Sequence, residues 1–404
     1  MSKKRILVLP SDRTGVGKFR SVQPHTYLQQ QYPDEFHIDI MYDINIDDLN
    51  FFKNYDIVSF HRSLNTNYEK SIEVIKQLKQ MGIKTVCDID DYWMPGMEHP
   101  AHAMVVERKF DKIIINNLRA AEWVTTTTDI FAKEIRKNVN KNVHVIPNGI
   151  DPEEPQFKEK TIPSDKVRFG WLGGSSHLHD LMILDGTFDK ISDLKDKYRL
   201  YICGFDTRGT VTEIDKATGT QKQRPILPEE TVWAKYEKIF TSNYKYVSEK
   251  QKEFLMKWKQ EEYMDEPDPF YTRVWTAPVT SYAKNYSKFD VSLAPIKNTM
   301  FNRMKSQLKV IEAGFYKKAI IASNIGPYTI DIKHGLSNGE FVKGANGLLV
   351  DEYKNHKDWS KFMKKLIENP SWVEDLGEQL YETVNERYHL KVLSENRRNF
   401  YNSL

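Results

Sequence analysis

The sequence predicts an α/β chain of two doubly wound halves, and three observations carry that expectation. Short apolar runs alternate with segments of helical period, the rhythm breaks once near the middle and then restarts, and 404 residues exceed the roughly 100–200 of a single domain. The first series of runs is Arg5–Leu9, Ile38–Met41, Ile57–Phe60, Thr85–Asp88, Trp123–Thr126 and Val143–Ile146. Continuous Val/Ile/Leu runs mark strands buried on both faces, and helical crossovers are needed to join them in parallel. Tyr68–Met81, closed by Gly82, and Phe110–Glu122 are the clearest crossover helices. Pro147-Asn-Gly-Ile-Asp-Pro152 and the charged stretch up to Lys166 interrupt the pattern and predict an interdomain linker.

The second series is Val167–Leu172, Leu200–Cys203, Val291–Ala294, Ala319–Ala322 and Gly347–Val350. Within it, about residues 205–270 are rich in Lys, Glu and Tyr. A structureless loop of that length is unusual, so a mainly helical insertion is predicted there. Its aromatic residues Trp233, Tyr236, Trp258, Tyr263, Phe270, Tyr271 and Trp275 either fill a core or stack on sugar rings or bases. Trp359 to Leu404 reads as two or three amphipathic helices. The predicted domains are 1–148 and 149–385, with 386–404 a terminal helix packing back on the first.

Composition narrows the function. With 59 Lys+Arg against 56 Asp+Glu, the formal charge of +3 is too small for long-range attraction to hold an acidic polymer over the whole surface. Cys87 and Cys203 lie in separate strand-like runs, which speaks against a disulfide scaffold or a cysteine metal site and fits a reducing cytoplasm, a host's if the chain is phage-encoded. The apolar run at the start ends at Pro10, and no run approaches a membrane span, so no integral membrane segment is expected.

Polar motifs concentrate where the predicted strands end. In Ser11-Asp-Arg-Thr-Gly-Val-Gly-Lys-Phe-Arg20, Asp12 and Phe19 rule out a Walker loop and Arg20 rules out a dinucleotide fingerprint. Gly15 and Gly17 would still let backbone amides approach an anion beside Lys18 and Arg20, unless the segment is only a tight turn. Val86-Cys-Asp-Ile-Asp-Asp-Tyr-Trp93 sets Asp88, Asp90 and Asp91 at a strand end, where carboxylates bind substrate hydroxyls, cap a helix or hold a hard cation. His99 and His102 follow in a proline-containing loop. In the second half, Gly173-Gly-Ser-Ser176 is a turn suited to cradling phosphate or to capping a helix. Asn302 to Gly314 opens a helix with Arg303, Lys305 and Lys309 near its start and Glu312 one turn beyond Lys309; a pyrophosphate with a ribose would use all of them, and so would ordinary surface ion pairs.

Taken in order, Val145-Ile-Pro-Asn-Gly-Ile-Asp151, Gly170-Trp-Leu-Gly-Gly174, Lys309-Val-Ile-Glu-Ala-Gly314, Ala319–Ser323 and Gly344–Val350 resemble the GT-B glycosyltransferases, in particular the retaining group called family 4 or group 1. The resemblance implies two Rossmann-like domains facing a central cleft and a nucleotide-diphosphate sugar, UDP-linked first, held mainly by the second domain. It implies that Glu312 meets the ribose and that the amides of Ser306, Gln307 and Leu308 meet the diphosphate. The family's first acid falls at Met304, and Ser175, His177 and His179 stand where many relatives carry Arg and Lys.

The function implied is that of a hexosyl- or pentosyltransferase, retaining and metal-independent, with no cofactor beyond the nucleotide sugar. The donor side comprises Gly15, Gly17, Gly173, Gly174, Ser175, Arg303, Lys305, Ser306, Gln307, Leu308, Lys309 and Glu312. The acceptor side comprises Lys18, Arg20, Asp88 and Asp91. Lys309 would stabilise the leaving group, and His99, His102 or Asp90 would be the base if the reaction inverts. The acceptor is a saccharide or lipid-linked glycan or, second, hydroxymethylated phage DNA reached through Lys3, Lys4, Arg5, Arg13, Lys18 and Arg20. A nucleotide-sugar epimerase and a non-catalytic sugar-binding protein are the alternatives. Replacing Glu312 with Ala is expected to weaken donor binding and leave the fold intact.

Overall fold

In the computed structural model, which describes residues 3–214, 219–242 and 264–404, the two series form two separate sheets. The first holds β1 (Lys4–Leu9), β2 (Phe36–Ile40), β3 (Ile57–His61), β4 (Lys84–Ile89), β5 (Trp123–Thr126) and β6 (Val143–Val145). They are all parallel, in the order β2-β1-β3-β4-β5-β6. β1, β3 and β4 are almost wholly buried, which explains why their sequences do not alternate.

The second sheet runs β11 (Met264–Asp268), β12 (Tyr271–Trp275), β8 (Tyr198–Phe205), β7 (Val167–Leu172), β13 (Val291–Ala294), β14 (Ala319–Ser323) and β17 (Leu348–Val350). Only β11 is antiparallel to its neighbour. Strand order reverses between β1 and β3 in the first sheet and between β7 and β13 in the second. Crevices of open α/β sheets form outside the carboxyl ends of strands at such reversals.

Of the insertion expected to be mainly helical, residues 215–218 and 243–263 lie outside the described residues, and the rest is mixed. β9 (Thr210–Ile214) and β10 (Gln221–Pro225) form a hairpin, a helix covers Val232–Thr241, and Tyr271–Trp275 is an inner strand of the sheet. Trp233, Tyr236, Phe270, Tyr271 and Trp275 are buried in the core of the second lobe, so they do not stack on a ligand. Trp258 and Tyr263 lie outside the described residues. A second small hairpin joins β15 (Leu336–Ser337) to β16 (Glu340–Phe341).

Three helices close the chain: Asn355–Glu368, Pro370–Tyr388 and Leu390–Ser403. The middle one packs tightly, since a Cβ on Gly377 would stand 2.2 Å from the carbonyl oxygen of Lys317. The last crosses to the first lobe, where Phe400 and Tyr401 join Ile6, Val8, Leu28 and Phe36 in one apolar cluster. Arg398 pairs there with Glu35 at 2.7 Å. Cys87 and Cys203 are buried free thiols. Among the described residues no helix is long and apolar enough to cross a membrane.

One buried group under this terminal helix titrates far from its usual range. His25 donates from Nδ1 to the Ser21 carbonyl at 2.6 Å, and its Nε2 lies 2.7 Å from the Tyr401 hydroxyl. Burial holds its pKa down at about 3, against about 6.5 in an unfolded chain. Between these values the unfolded chain binds the extra proton, so stability falls as pH drops from about 6.5 towards about 3. Urea unfolding midpoints measured from pH 7 to pH 4 should fall less steeply in His25→Gln than in the wild type.

Candidate active site

The site is built from the segments that leave β7 and β13. After β7 the chain must turn beside Trp171. A Cβ on Gly173 would stand 2.5 Å from that ring, and Gly204, at φ +99°, would bring a Cβ to 2.3 Å from the Gly173 carbonyl oxygen. Glycine is therefore required at both positions by packing. Gly174 and Ser175 are exposed, and their amides meet no acceptor among the described residues. The next helix is only Leu178–Leu181, so an anion would meet the turn's own N–H groups rather than a helix dipole.

After β13, Thr299 caps a single turn, Met300–Arg303, by accepting from the Asn302 amide at 3.1 Å. The next helix, Leu308–Phe315, starts without any side-chain cap, and the amides of Ser306, Gln307 and Leu308 have no acceptor among the described residues. Unmet amides at a helix start, with the positive end of its dipole, make a ready anion site. Lys309 stands over the Trp171 ring at 5.6 Å and donates to the Leu172 carbonyl, tying this helix to the glycine turn. Burial lowers its pKa, and its ammonium has two further donors. Lys305 sits 4.5 Å from the Phe301 ring and 3.7 Å from the Asp91 carboxylate of the other lobe. Arg303 instead turns outward, giving its Nε to Asn298 at 2.6 Å.

Met304 explains the missing acid. It is 6% exposed and packs into the first lobe's core cluster with Trp93, so it cannot present a polar atom to a sugar. Glu312 departs from its expected role too. It is 3% exposed, and its two carboxylate oxygens already accept from Tyr282 and from Tyr286, the latter at 2.9 Å. Burial raises its pKa. Glu312 therefore anchors two tyrosines beneath the cleft rather than facing an open ribose pocket.

The first lobe brings fewer free groups than its sequence suggests. Arg20 is 2% exposed and holds Asp88 through paired bonds of 2.7 and 3.0 Å. Burial alone would raise the Asp88 carboxyl, but the Arg20 charge and hydrogen bonds bring it below its usual value. Both residues serve the fold, not an acceptor. Lys18 is paired with Glu154. Gly17 is required because a Cβ would stand 1.9 Å from the Asp12 carbonyl oxygen. The amides of Thr14 and Gly17 are already met by the Asp12 carboxylate, at 2.7 and 3.1 Å. The glycine turn after β1 thus carries its own anion; Gly15 alone faces open space.

Asp90 accepts from His61 at 3.0 Å and Arg62 at 3.1 Å. Burial opposes its charge, but these partners drive its pKa far below the usual carboxylate range, so it is too weak a base for proton abstraction. Asp91 remains, a third exposed and facing Lys305. The basic cluster expected to reach DNA does not form. Arg13 stacks on Tyr42 at 3.9 Å, Lys4 donates to the Tyr401 carbonyl at 2.7 Å, Arg5 lies over Tyr55, and Arg20 is buried.

The two histidines separate by tautomer. His99 Nδ1 accepts from the Ala101 amide at 3.1 Å, so its neutral ring carries the proton on Nε2 and acts as a donor. Burial, with the Lys305 charge next, holds its pKa at about 4. Its ring lies 6.0 Å from His179 and 5.2 Å from Phe301 of the second lobe. His102 Nδ1 donates to the Pro95 carbonyl at 2.8 Å, which leaves a lone pair on Nε2.

Sequence reasoning overlooked Asp180, Tyr282, Tyr286 and the hydrogen bonds of Asn148. Buried Asp180 accepts from His177 at 2.9 Å, the Lys297 amide at 2.8 Å and Asn302 at 2.8 Å, and so joins the two halves of the cradle. The four-residue spacing of the two tyrosines was the only local signal for them.

No family model matches the sequence, and no curated protein matches it. Solved structures do. Sucrose-phosphate synthase from Thermosynechococcus elongatus superposes with a TM-score of 0.61 over 99% of both chains at 13% identity. Anabaena HepE, solved with UDP and glucose, gives 0.60 over 99% of this chain and 100% of that one at 12% identity. The fold is GT-B. An alpha-glucosyltransferase solved with UDP and a 13-mer DNA shares this GT-B architecture, with a TM-score of 0.55 over 99% of each chain at 13% identity.

Because both oxygens of Glu312 accept from tyrosines, Glu312→Ala should leave the buried Tyr286 hydroxyl and the half-buried Tyr282 hydroxyl without this acceptor, at a cost of about 1–3 kcal/mol for the buried one. Chemical unfolding of the variant, compared with Glu312→Gln, measures that loss.

Proposed function

We propose that this protein transfers a glycosyl group from a nucleotide-diphosphate sugar, UDP-linked first, to an acceptor hydroxyl in the cleft. One arrangement carries the reading: two sets of unmet amides, Gly174–Ser175 and Ser306–Leu308, converge with Lys309 and Lys305 opposite the first lobe's Asp91 and His99. Negative charge grows on the diphosphate as the anomeric C–O bond breaks. Oriented amides and ammonium groups stabilise such charge without reorganising at the moment of reaction. UDP in the complexes of HepE and of the alpha-glucosyltransferase supports the choice of donor.

The retaining course is proposed with it. The acceptor oxygen bonds the anomeric carbon on the face the phosphate leaves, and the acceptor proton passes to the departing phosphate oxygen. His99, a donor through Nε2, would hold a sugar or phosphate oxygen, and Asp91 an acceptor hydroxyl. Were the product inverted, His102 Nε2 would be the base, since Asp90 is not basic enough. With the basic cluster dispersed, a saccharide acceptor is preferred to DNA.

Incubation with UDP-, GDP- and ADP-sugars, followed by assay of free nucleotide, tests the reading. Nucleotide release that depends on an added saccharide supports transfer; an isomerised sugar still bound to nucleotide indicates an epimerase and overturns it, as does binding without turnover. Lys309→Ala should lower kcat about a hundredfold, the scale for losing one charge-stabilising donor.

A further inference from the structure

We infer that Asn148 and Tyr388 are positioning residues that transmit the relative placement of the two lobes to the diphosphate-binding helix start; the inference rests on the donor reading above. The chain passes between the lobes twice among the described residues, once through Ile146–Asp151 and once through Tyr388–Leu390. The two crossings are zipped together. The Ile150 amide donates to the Tyr388 carbonyl at 3.0 Å and the Leu390 amide to the Ile150 carbonyl at 2.8 Å. A Cβ on Gly149 would stand 2.8 Å from a Leu393 methyl, so the two crossings are closely packed there.

Each crossing then grips one of two consecutive residues at the open helix start. Asn148 Nδ2 donates to Ser306 Oγ at 3.0 Å, and Gln307 Nε2 donates to the Tyr388 hydroxyl at 2.9 Å. On the other side, Asn148 Oδ1 accepts from Arg20 at 3.0 Å, within the buried Arg20–Asp88 pair of the first lobe. The Tyr388 hydroxyl also donates to Asp331, 2.7 Å away in the second lobe. A continuous polar chain therefore runs from the end of β4 through Arg20 and Asn148 to Ser306.

The physical consequence concerns precision. Helix Leu308–Phe315 has no side-chain cap of its own, and the Ser306 and Gln307 side chains bond instead to the two crossings. Charge-stabilising donors lose most of their effect when displaced by about 1 Å. Movement of the first lobe shifts Arg20 and Asn148, and with them Ser306; the donor cradle is therefore complete only at one placement of the lobes.

The test is a double-mutant cycle read by calorimetric titration of UDP into the full chain. Asn148→Ala and Ser306→Ala should each weaken UDP binding about fivefold, and the double variant should bind no worse than the weaker-binding single one, as expected for two partners in one interaction. Ser306→Thr, which keeps the hydroxyl, should retain wild-type affinity, and Tyr388→Phe should weaken UDP binding as the alanine variants do. Unchanged UDP affinity in the single variants, or effects that multiply in the double variant, would overturn the relay. If Asn148→Ala does not fold, the Ser306 pair decides by itself: equal affinity of the Ala and Thr variants overturns the relay. A wild-type chain that binds no UDP removes the donor reading and this inference with it, whereas tight wild-type binding with an additive cycle removes the relay alone.

Discussion

One buried guanidinium ties the first lobe's central strand to the linker that leaves it. Arg20 gives two bonds to Asp88 at the end of β4, one to the Ile146 carbonyl and one to Asn148 in the linker. Its donors lie in one plane, so it can clamp a carboxylate with two and still tie down the chain that leaves the sheet with a third nitrogen. Desolvating both charges is costly, and the cost is offset only because each has several partners. With Asp88 and Arg20 committed to each other and Asp90 held by His61 and Arg62, Asp91 is the most exposed of the three carboxylates at the end of β4.

The second lobe is arranged the opposite way. Its strand-end turn and its helix start leave amides unmet, and the side chains near them point cationic groups inward: Lys309 toward the glycine turn, Lys305 across the cleft. The same kind of glycine turn after β1 is filled by the Asp12 carboxylate. Two turns that look alike in sequence thus differ: one is filled by its own carboxylate, and the amides of the other meet no acceptor among the described residues. Asp180, buried, accepts from His177 after the glycine turn and from Lys297 and Asn302 after β13, and so ties the two segments together.

The strands were legible in the sequence almost residue by residue: Trp123–Thr126, Val167–Leu172 and Val291–Ala294 stand where their apolar runs predict. β12 was not, because Tyr271–Trp275 carries Thr272 and Arg273 between aromatic residues and lies behind a lysine- and glutamate-rich stretch, so it reads as surface. In the sheet Arg273 is buried at the Glu237 carboxylate, 3.0 Å away, which is the partner that makes a charged residue tolerable there. Among the residues singled out in the sequence, Gly174 and Ser175 are exposed and Lys305 faces Asp91 of the other lobe, whereas Arg20, Asp88, Lys18, Lys309 and Glu312 are engaged with protein partners.

What the sequence alone determined is local: where buried strands run, where glycine is needed for a turn, and where a helix opens beside cations. These depend on residues a few positions apart. What only the tertiary structure decided is which polar groups are spent and which are free. Arg20 meets Asp88 across 68 positions and Asn148 meets Ser306 across 158. A hydrogen bond's partner is chosen by proximity in space, and the chain's path through two sheets and back, not its order of residues, brings these atoms within 3.0 Å of each other.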